Sequence, residues 1–131
     1  MKFRFPSEAR LKSPRQFDLV FRTGRRQTGG LVRLLFLDGC DGETKFGVAV
    51  SKKIANAVGR VRGRRMLRES LRRLRPWTKK GCWIVVSLRD TALESSAKDV
   101  YYDVARLMKR AGLMTDDWQG ADWDADSAHE A

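Results

Sequence analysis

The 131-residue chain has one histidine, His129, two cysteines, Cys40 and Cys82, and three prolines. Each scarcity excludes something. A single histidine near the C-terminus leaves no partner set for Ser/His/Asp or Cys/His nucleophilic catalysis. Two cysteines far apart, in no metal-ligand spacing, predict free reduced thiols rather than a disulfide. No stretch approaches the roughly 18 apolar residues of a membrane span. The opening MKFRFPSEARLK lacks the apolar core of a signal peptide, so a cytoplasmic location with no membrane partner is expected. There is no Walker loop and no GxGxxG. The ten acids up to residue 114 are scattered, without the repeated carboxylates of a metal-dependent nuclease. The composition predicts a binder rather than a self-sufficient catalyst, with no catalytic residue and no metal site of its own.

What the chain has in excess is arginine. Eight of the sixteen residues at 60–75 (RVRGRRMLRESLRRLR) are arginine, and only Glu69 is acidic. That many guanidiniums in one helix length repel one another unless an anionic partner compensates, and a phosphate backbone is such a partner. At about 100° per residue, Gly63, Met66, Leu67, Ser70, Leu71 and Leu74 share one arc of roughly 140°. Arg62, Arg65, Arg68, Arg72, Arg73 and Arg75 fall opposite. The segment therefore predicts an amphipathic helix with an apolar floor and an arginine roof, stopping before Pro76. Net charge is +11, but the first 114 residues hold all 27 lysines and arginines and ten of the 16 acids, a balance of +17. Residues 1–114 are expected to form one nucleic-acid-binding domain. Residues 115–131, with six acids and no base, predict a disordered acidic tail. Trp118 and Trp123 fit that tail poorly, and a tail folded onto the basic face as a mimic of RNA is the alternative.

Elsewhere the punctuation is clear. Ser13 as N-cap, Pro14 in first position and Gln16 completing a capping box predict a helix that stops at Gly24. Within it Phe17, Val20 and Phe21 recur at i, i+3, i+4. Two readings stay open: a core-facing stripe, or, framed by Lys12, Arg15, Arg22, Arg25 and Arg26, a stacking platform for single-stranded nucleic acid. Strands are expected over 31–37 and 44–50, joined as a hairpin by Asp38-Gly39-Cys40-Asp41-Gly42. Cys82 to Leu88 reads as a buried strand, with Arg89 at its end. Ser95 or Ser96 caps a last helix over 97–111, with Val100, Val104, Leu107 and Met108 inward and Gly112 after it.

Two blocks carry a resemblance. SKKIANAVGRVRGRRMLRE resembles the signature of the protein component of bacterial ribonuclease P, matching at Ser51, Lys52, Lys53, Asn56, Ala57, Val58, Arg60, Arg62, Arg64, Arg65 and Arg68. RLKSPRQFDLVFRTG is similar to that family's opening helix, at Arg10, Leu11, Lys12, Phe17, Val20, Phe21 and Gly24. The resemblance implies an α+β, two-layer sandwich of the ribosomal-protein-like kind: helix, strands, basic helix, strand, helix, with a left-handed βαβ crossover. It implies a protein that assists a catalytic RNA subunit, which uses Mg2+ to cut the 5′ leader from precursor tRNA. By position, Lys52, Lys53, Arg60, Arg62, Arg64, Arg65 and Arg68 would contact the RNA subunit. Lys12, Phe17, Phe21 and Arg89 would line the cleft for the leader. Val61 stands where the family has asparagine, Gly63 where it has a larger aliphatic, and Leu35 where some members carry an aromatic. The competing classes are a ribosomal-type structural RNA-binding protein, a DNA-binding regulator and a self-contained nuclease. Only the second would want a second support helix beside the arginine helix.

Overall fold

In the computed structural model, residues 9–40 and 42–124 are described. The first helix, α1 (Pro14–Thr23), starts as its sequence dictates: Ser13 Oγ accepts from Gln16 N at 3.1 Å and Gln16 Oε1 accepts from Ser13 N at 3.3 Å. It stops at Gly24, but not through a left-handed residue, since φ there is −74°. Space decides instead. A Cβ on Gly24 would stand 2.5 Å from the Val20 carbonyl oxygen and 2.9 Å from that of Phe36, so the chain turns directly from α1 into strand β1 (Arg25–Thr28).

Strands β2 (Val32–Leu37), β3 (Lys45–Ala49) and β4 (Trp83–Leu88) complete a four-stranded sheet in the order β1-β2-β4-β3. The expected hairpin between β2 and β3 is not formed. β2 pairs antiparallel with β1 and with β4, while β3 pairs parallel with β4. The glycine-rich turn does reverse the chain, but it leaves a slot one strand wide. β4 fills that slot because its side chains are nearly all apolar and need neighbours on both edges and both faces. The turn is held over the end of β4 by Cys40 N to Gly81 O at 2.9 Å, Lys45 N to Cys82 O at 2.8 Å and Thr44 Oγ1 to Lys79 O at 2.5 Å. β1 escapes sequence detection because Arg-Arg-Gln-Thr has no apolar alternation; only pairing to β2 makes it a strand.

Between β3 and β4 the chain crosses through helix α2 (Ala57–Leu74), and after β4 comes α3 (Ala97–Arg110). The expected α+β sandwich is present. One face of the sheet (Val32, Leu34, Phe36, Phe46, Ile84, Val86, Leu88) packs on the floors of α2 and α3, which include Leu67, Leu71, Leu74, Val100, Val104, Leu107 and Met108. On the other face Leu35 and Val85 meet Leu11 and Val20 from the α1 segment. α1 covers only part of this second face. No helix among the described residues is long and apolar enough to cross a membrane. Cys40 and Cys82 are free thiols, and burial is the largest cause holding Cys82 above its ordinary pKa.

One buried carboxylate ties the layers together. Asp103, on α3, accepts from Leu31 N at 2.8 Å and Val32 N at 3.0 Å and pairs with Arg106 at 2.5 Å. It is 8% exposed. Asp103→Ala strands two backbone donors away from water, each costing about 1–3 kcal/mol. Urea denaturation should show a loss of roughly 3 kcal/mol; a change under about 1 kcal/mol would contradict this role.

The structureless tail expected from residue 115 is corrected for 115–124. Thr115 N donates to Trp77 O at 2.7 Å, Met114 bridges to Thr78, and Trp118 and Trp123 pack on the main core. Asp122 N and Trp123 N donate to the hydroxyls of Tyr101 and Tyr102 at 3.0 and 3.2 Å. The two tryptophans supply apolar area that outweighs the acidic composition around them. Residues 125–131, including His129, lie outside the described residues, as do 1–8, on which most of the signal-peptide reading falls.

Candidate nucleic-acid interface

α2 opens at Asn56, whose side-chain oxygen accepts from Gly59 N at 2.9 Å. Its floor is the one read from the sequence: Gly63, Met66, Leu67, Ser70, Leu71 and Leu74 are all buried. Gly63 has a reason to be small. A Cβ there would meet Val50 and Leu88 methyls at 3.0 Å, so the helix sits close against the ends of β3 and β4. Val61 is exposed on the outward side of α2, so the missing amide alters a surface position rather than the core.

Seven of the eight arginines at 60–75 divide into three parts, and the eighth, Arg75, is the half-buried C-cap of α2. Arg60 donates to Ala55 O at 3.0 Å, and Arg62 donates to Leu93 O and Ser95 O, both at 2.8 Å, fastening α2 to the loop before α3. Arg72 and Arg73 both pair with Glu69, and Arg73 is buried, which corrects its place on the solvent face. Arg64, Arg65 and Arg68 remain outward-facing, with Arg64 half-buried and the other two exposed. Arg10 joins them, because the segment at 10–11 lies along the β3 edge: Arg10 bridges to Phe46 and Leu11 N donates to Phe46 O at 2.9 Å. Burial, then the charges of Arg10 and Arg64, hold the Arg68 pKa below its ordinary value. A guanidinium does not lose its proton in this range. The part of the shift that comes from Arg10 and Arg64 is like-charge crowding, which a bound phosphate would relieve.

The two phenylalanines, four residues apart on α1, have different surroundings. Phe17 is half-buried and its ring lies against Gly47, so closely that a Cβ on Gly47 would stand 2.5 Å from it. It lines a narrow cleft of about 120 Å³ with Arg10 and Arg68. Phe21 is 40% exposed and overhangs a wider groove of about 470 Å³. The pairing register explains the groove. Leu35, Val85 and Gly47 lie side by side across β2, β4 and β3, beneath α1. Two residues along, Arg33, Ser87 and Ala49 form the next row on the same face, beyond the reach of α1. Two small side chains make that row a floor, with Phe21 on one wall and Lys53 and Arg89 at the rim.

The structure thus brings Phe21 and Arg89 together as expected and adds Lys53, which the resemblance assigned to the RNA subunit. It puts Phe17 in the neighbouring cleft, and Lys12 lines neither. Lys52 is exposed in the turn before α2. Arg89 is partly committed, donating from Nη1 to Gly29 O at 2.6 Å. Leu35 is buried under α1 and so faces no ligand. Arg33 was missed in the sequence, and Arg10, matched in the opening-helix resemblance, was given no role there. Arg33 was legible as the one charged position in an otherwise apolar strand; Arg10 was not, since no local signal announces a lone bridge to β3. Among the described residues no three His, Cys, Asp or Glu side chains gather as metal ligands.

A sheet flanked by basic helices, with an aromatic-walled cationic groove beside a guanidinium cluster, defines a small α+β protein of the nucleic-acid-docking class. The model of the ribonuclease P family matches residues 5–112. The chain belongs to the family of bacterial ribonuclease P protein components. It is 36% identical over 112 residues to the ribonuclease P protein component of Xanthomonas euvesicatoria, covering 85% of this chain and 76% of that one. With the Symbiobacterium thermophilum component it shares 36% over 106 residues, covering 80% and 92%. The solved RNase P protein of Thermotoga maritima superposes with a TM-score of 0.68 at 29% identity, covering 77% of this chain and 96% of that one. That of Staphylococcus aureus gives 0.73 at 20% identity, covering 82% and 98%, a likeness of fold.

Proposed function

We propose that this chain docks on a catalytic RNA subunit through Arg64, Arg65 and Arg68, joined by Arg10, with Lys52, Arg60 and Arg62 at the margin. It holds the 5′ leader of precursor tRNA in the groove of Phe21, Arg33, Lys53 and Arg89. Cleavage chemistry and the Mg2+ it needs are assigned to the RNA; the protein contributes no reacting group. The observation that carries this reading is the adjacency of two cationic surfaces with different shapes. The guanidinium cluster on α2 suits a folded phosphate backbone, because arginine forks match phosphate oxygens two at a time. The groove suits a single strand, whose bases stack on an aromatic wall while cations follow its phosphates.

Such a division explains how an enzyme could favour substrate over product. Precursor and mature tRNA differ only by the leader, so only a contact to the leader separates them. Stacking contributes roughly 1–3 kcal/mol per base with little regard to sequence, which suits leaders of many sequences. The test is reconstitution with a bacterial ribonuclease P RNA at low magnesium. Added chain should accelerate 5′ leader removal at least about tenfold, and the RNA without it should be nearly silent. No stimulation, with ribosomal RNA instead recovered on the chain from cells, would replace this reading by a structural role on the ribosome.

A further inference from the structure

The family model ends at residue 112, yet the chain continues as a packed segment over 113–124. We infer that this segment confines RNA docking to the stretch of α2 up to Arg68, and so sets the chain's selectivity for its own RNA over unrelated RNA. The inference rests on the docking surface proposed above and goes beyond it.

Two independent observations point the same way. The first is that Trp123 takes Arg73 out of the basic face. The Arg73 guanidinium carbon lies 3.6 Å from the Trp123 ring centre, and Nη1 donates to Trp123 O at 2.7 Å. Arg73 Nε meets Glu69 at 2.6 Å, and only 6% of the Arg73 side chain is exposed. A phosphate approaching the C-terminal turns of α2 therefore finds a satisfied cation. The second is charge. Asp116, Asp117, Asp122 and Asp124 are all exposed on the same segment, which has no Lys or Arg. Bonds to Trp77 after α2 and to Tyr101 and Tyr102 on α3 hold that segment in place, so the acids are fixed beside these helices rather than averaged over the surface.

Non-specific RNA binding is a sum of phosphate contacts wherever cations lie. Fixed acids and a sequestered arginine remove one end of α2 from that sum. An RNA shaped to dock on Arg64, Arg65 and Arg68 loses little, whereas an RNA held by charge alone loses contacts and meets repulsion. Selectivity gained by disfavouring the wrong partner is a general device.

The experiment compares binding of the whole chain to a bacterial ribonuclease P RNA and to an unrelated folded RNA of equal length, across a salt series. Trp123→Ala strips the covering ring from Arg73 and leaves its Glu69 pair in place. A second variant combines Asp116→Asn, Asp117→Asn, Asp122→Asn and Asp124→Asn, and keeps the Trp123 contacts should the first variant fail to fold. Either variant should raise affinity for the unrelated RNA about three- to tenfold and steepen its salt slope by about one, with ribonuclease P RNA changed less than about twofold. Affinities that rise equally for both RNAs, or for neither, would overturn the inference. A wild-type chain that binds both RNAs equally well would overturn the docking surface itself.

Discussion

Replacing Arg64 and Arg68 together with glutamate should weaken binding to the catalytic RNA by at least about 100-fold. Two charge-assisted contacts at about 1.5–3 kcal/mol each amount to roughly 3 kcal/mol or more, and each 1.4 kcal/mol is about a factor of ten. The loss should be electrostatic in kind. Each neutralised phosphate adds about 0.7–0.9 to the slope of log K against log salt, so two lost contacts flatten it by roughly 1.5. Fold stability should hold or rise. Arg68 is already crowded by Arg10 and Arg64, and the double reversal turns the repulsion from Arg10 into attraction while leaving the 64–68 pair like-charged. Arg62→Ala provides the contrast. Its guanidinium bridges to Leu93 and Ser95 carbonyls, so its removal should lower the melting temperature and, from the margin of the docking face, flatten the salt slope far less than the double reversal does. If the double reversal leaves both affinity and slope intact, the α2 surface is not the docking face.

Phe21→Ala should produce the second-largest change, and only with one of two ligands. Its ring is 40% exposed over the groove, so its loss removes little core and one stacking partner. Holoenzyme containing Phe21→Ala should bind precursor tRNA about tenfold more weakly, at roughly 1.4 kcal/mol for one stacked base, and mature tRNA within about twofold of wild type. Phe17→Ala should behave differently. That ring packs against Gly47 beside Leu11, Val20, Leu35 and Val85, and truncating a packed aromatic costs roughly 3 kcal/mol of stability. A melting difference between the two variants, read before any binding assay, separates groove wall from core. Equal losses for precursor and mature tRNA in Phe21→Ala would count against the groove.

The parts of this architecture legible in sequence were those set by local rules. The capping box at Ser13 and Gln16, the floor of α2 and the inward stripe of α3 depend only on near neighbours and helical period, and all three are as read. The β2–β3 hairpin was misread because the turn residues report a reversal of direction, not which strand fills the space beside it. That choice belongs to β4, whose need for cover on both edges is met from far along the chain. Composition also misled at 115–124, where four aspartates masked the packing of two tryptophans. In the site, residue types were legible and their division of labour was not. Eight arginines in sixteen residues look equivalent until Arg62 is seen bonding to carbonyls, Arg73 under Trp123, and Arg68 beside Arg10. Phe17 and Phe21 share a helical face, and only the covering of one row of the sheet and not the next separates them.

The most direct test of this account is the affinity of the reconstituted holoenzyme for precursor tRNAs whose 5′ leaders are shortened one nucleotide at a time. A groove beside the docking face predicts a step: affinity near that of mature tRNA for the shortest leaders, then a rise of about tenfold or more once the leader reaches Phe21, consistent with one or two stacked bases. The step should be absent with Phe21→Ala and present with the four aspartates replaced. Affinity that is independent of leader length in the wild-type holoenzyme would contradict the account.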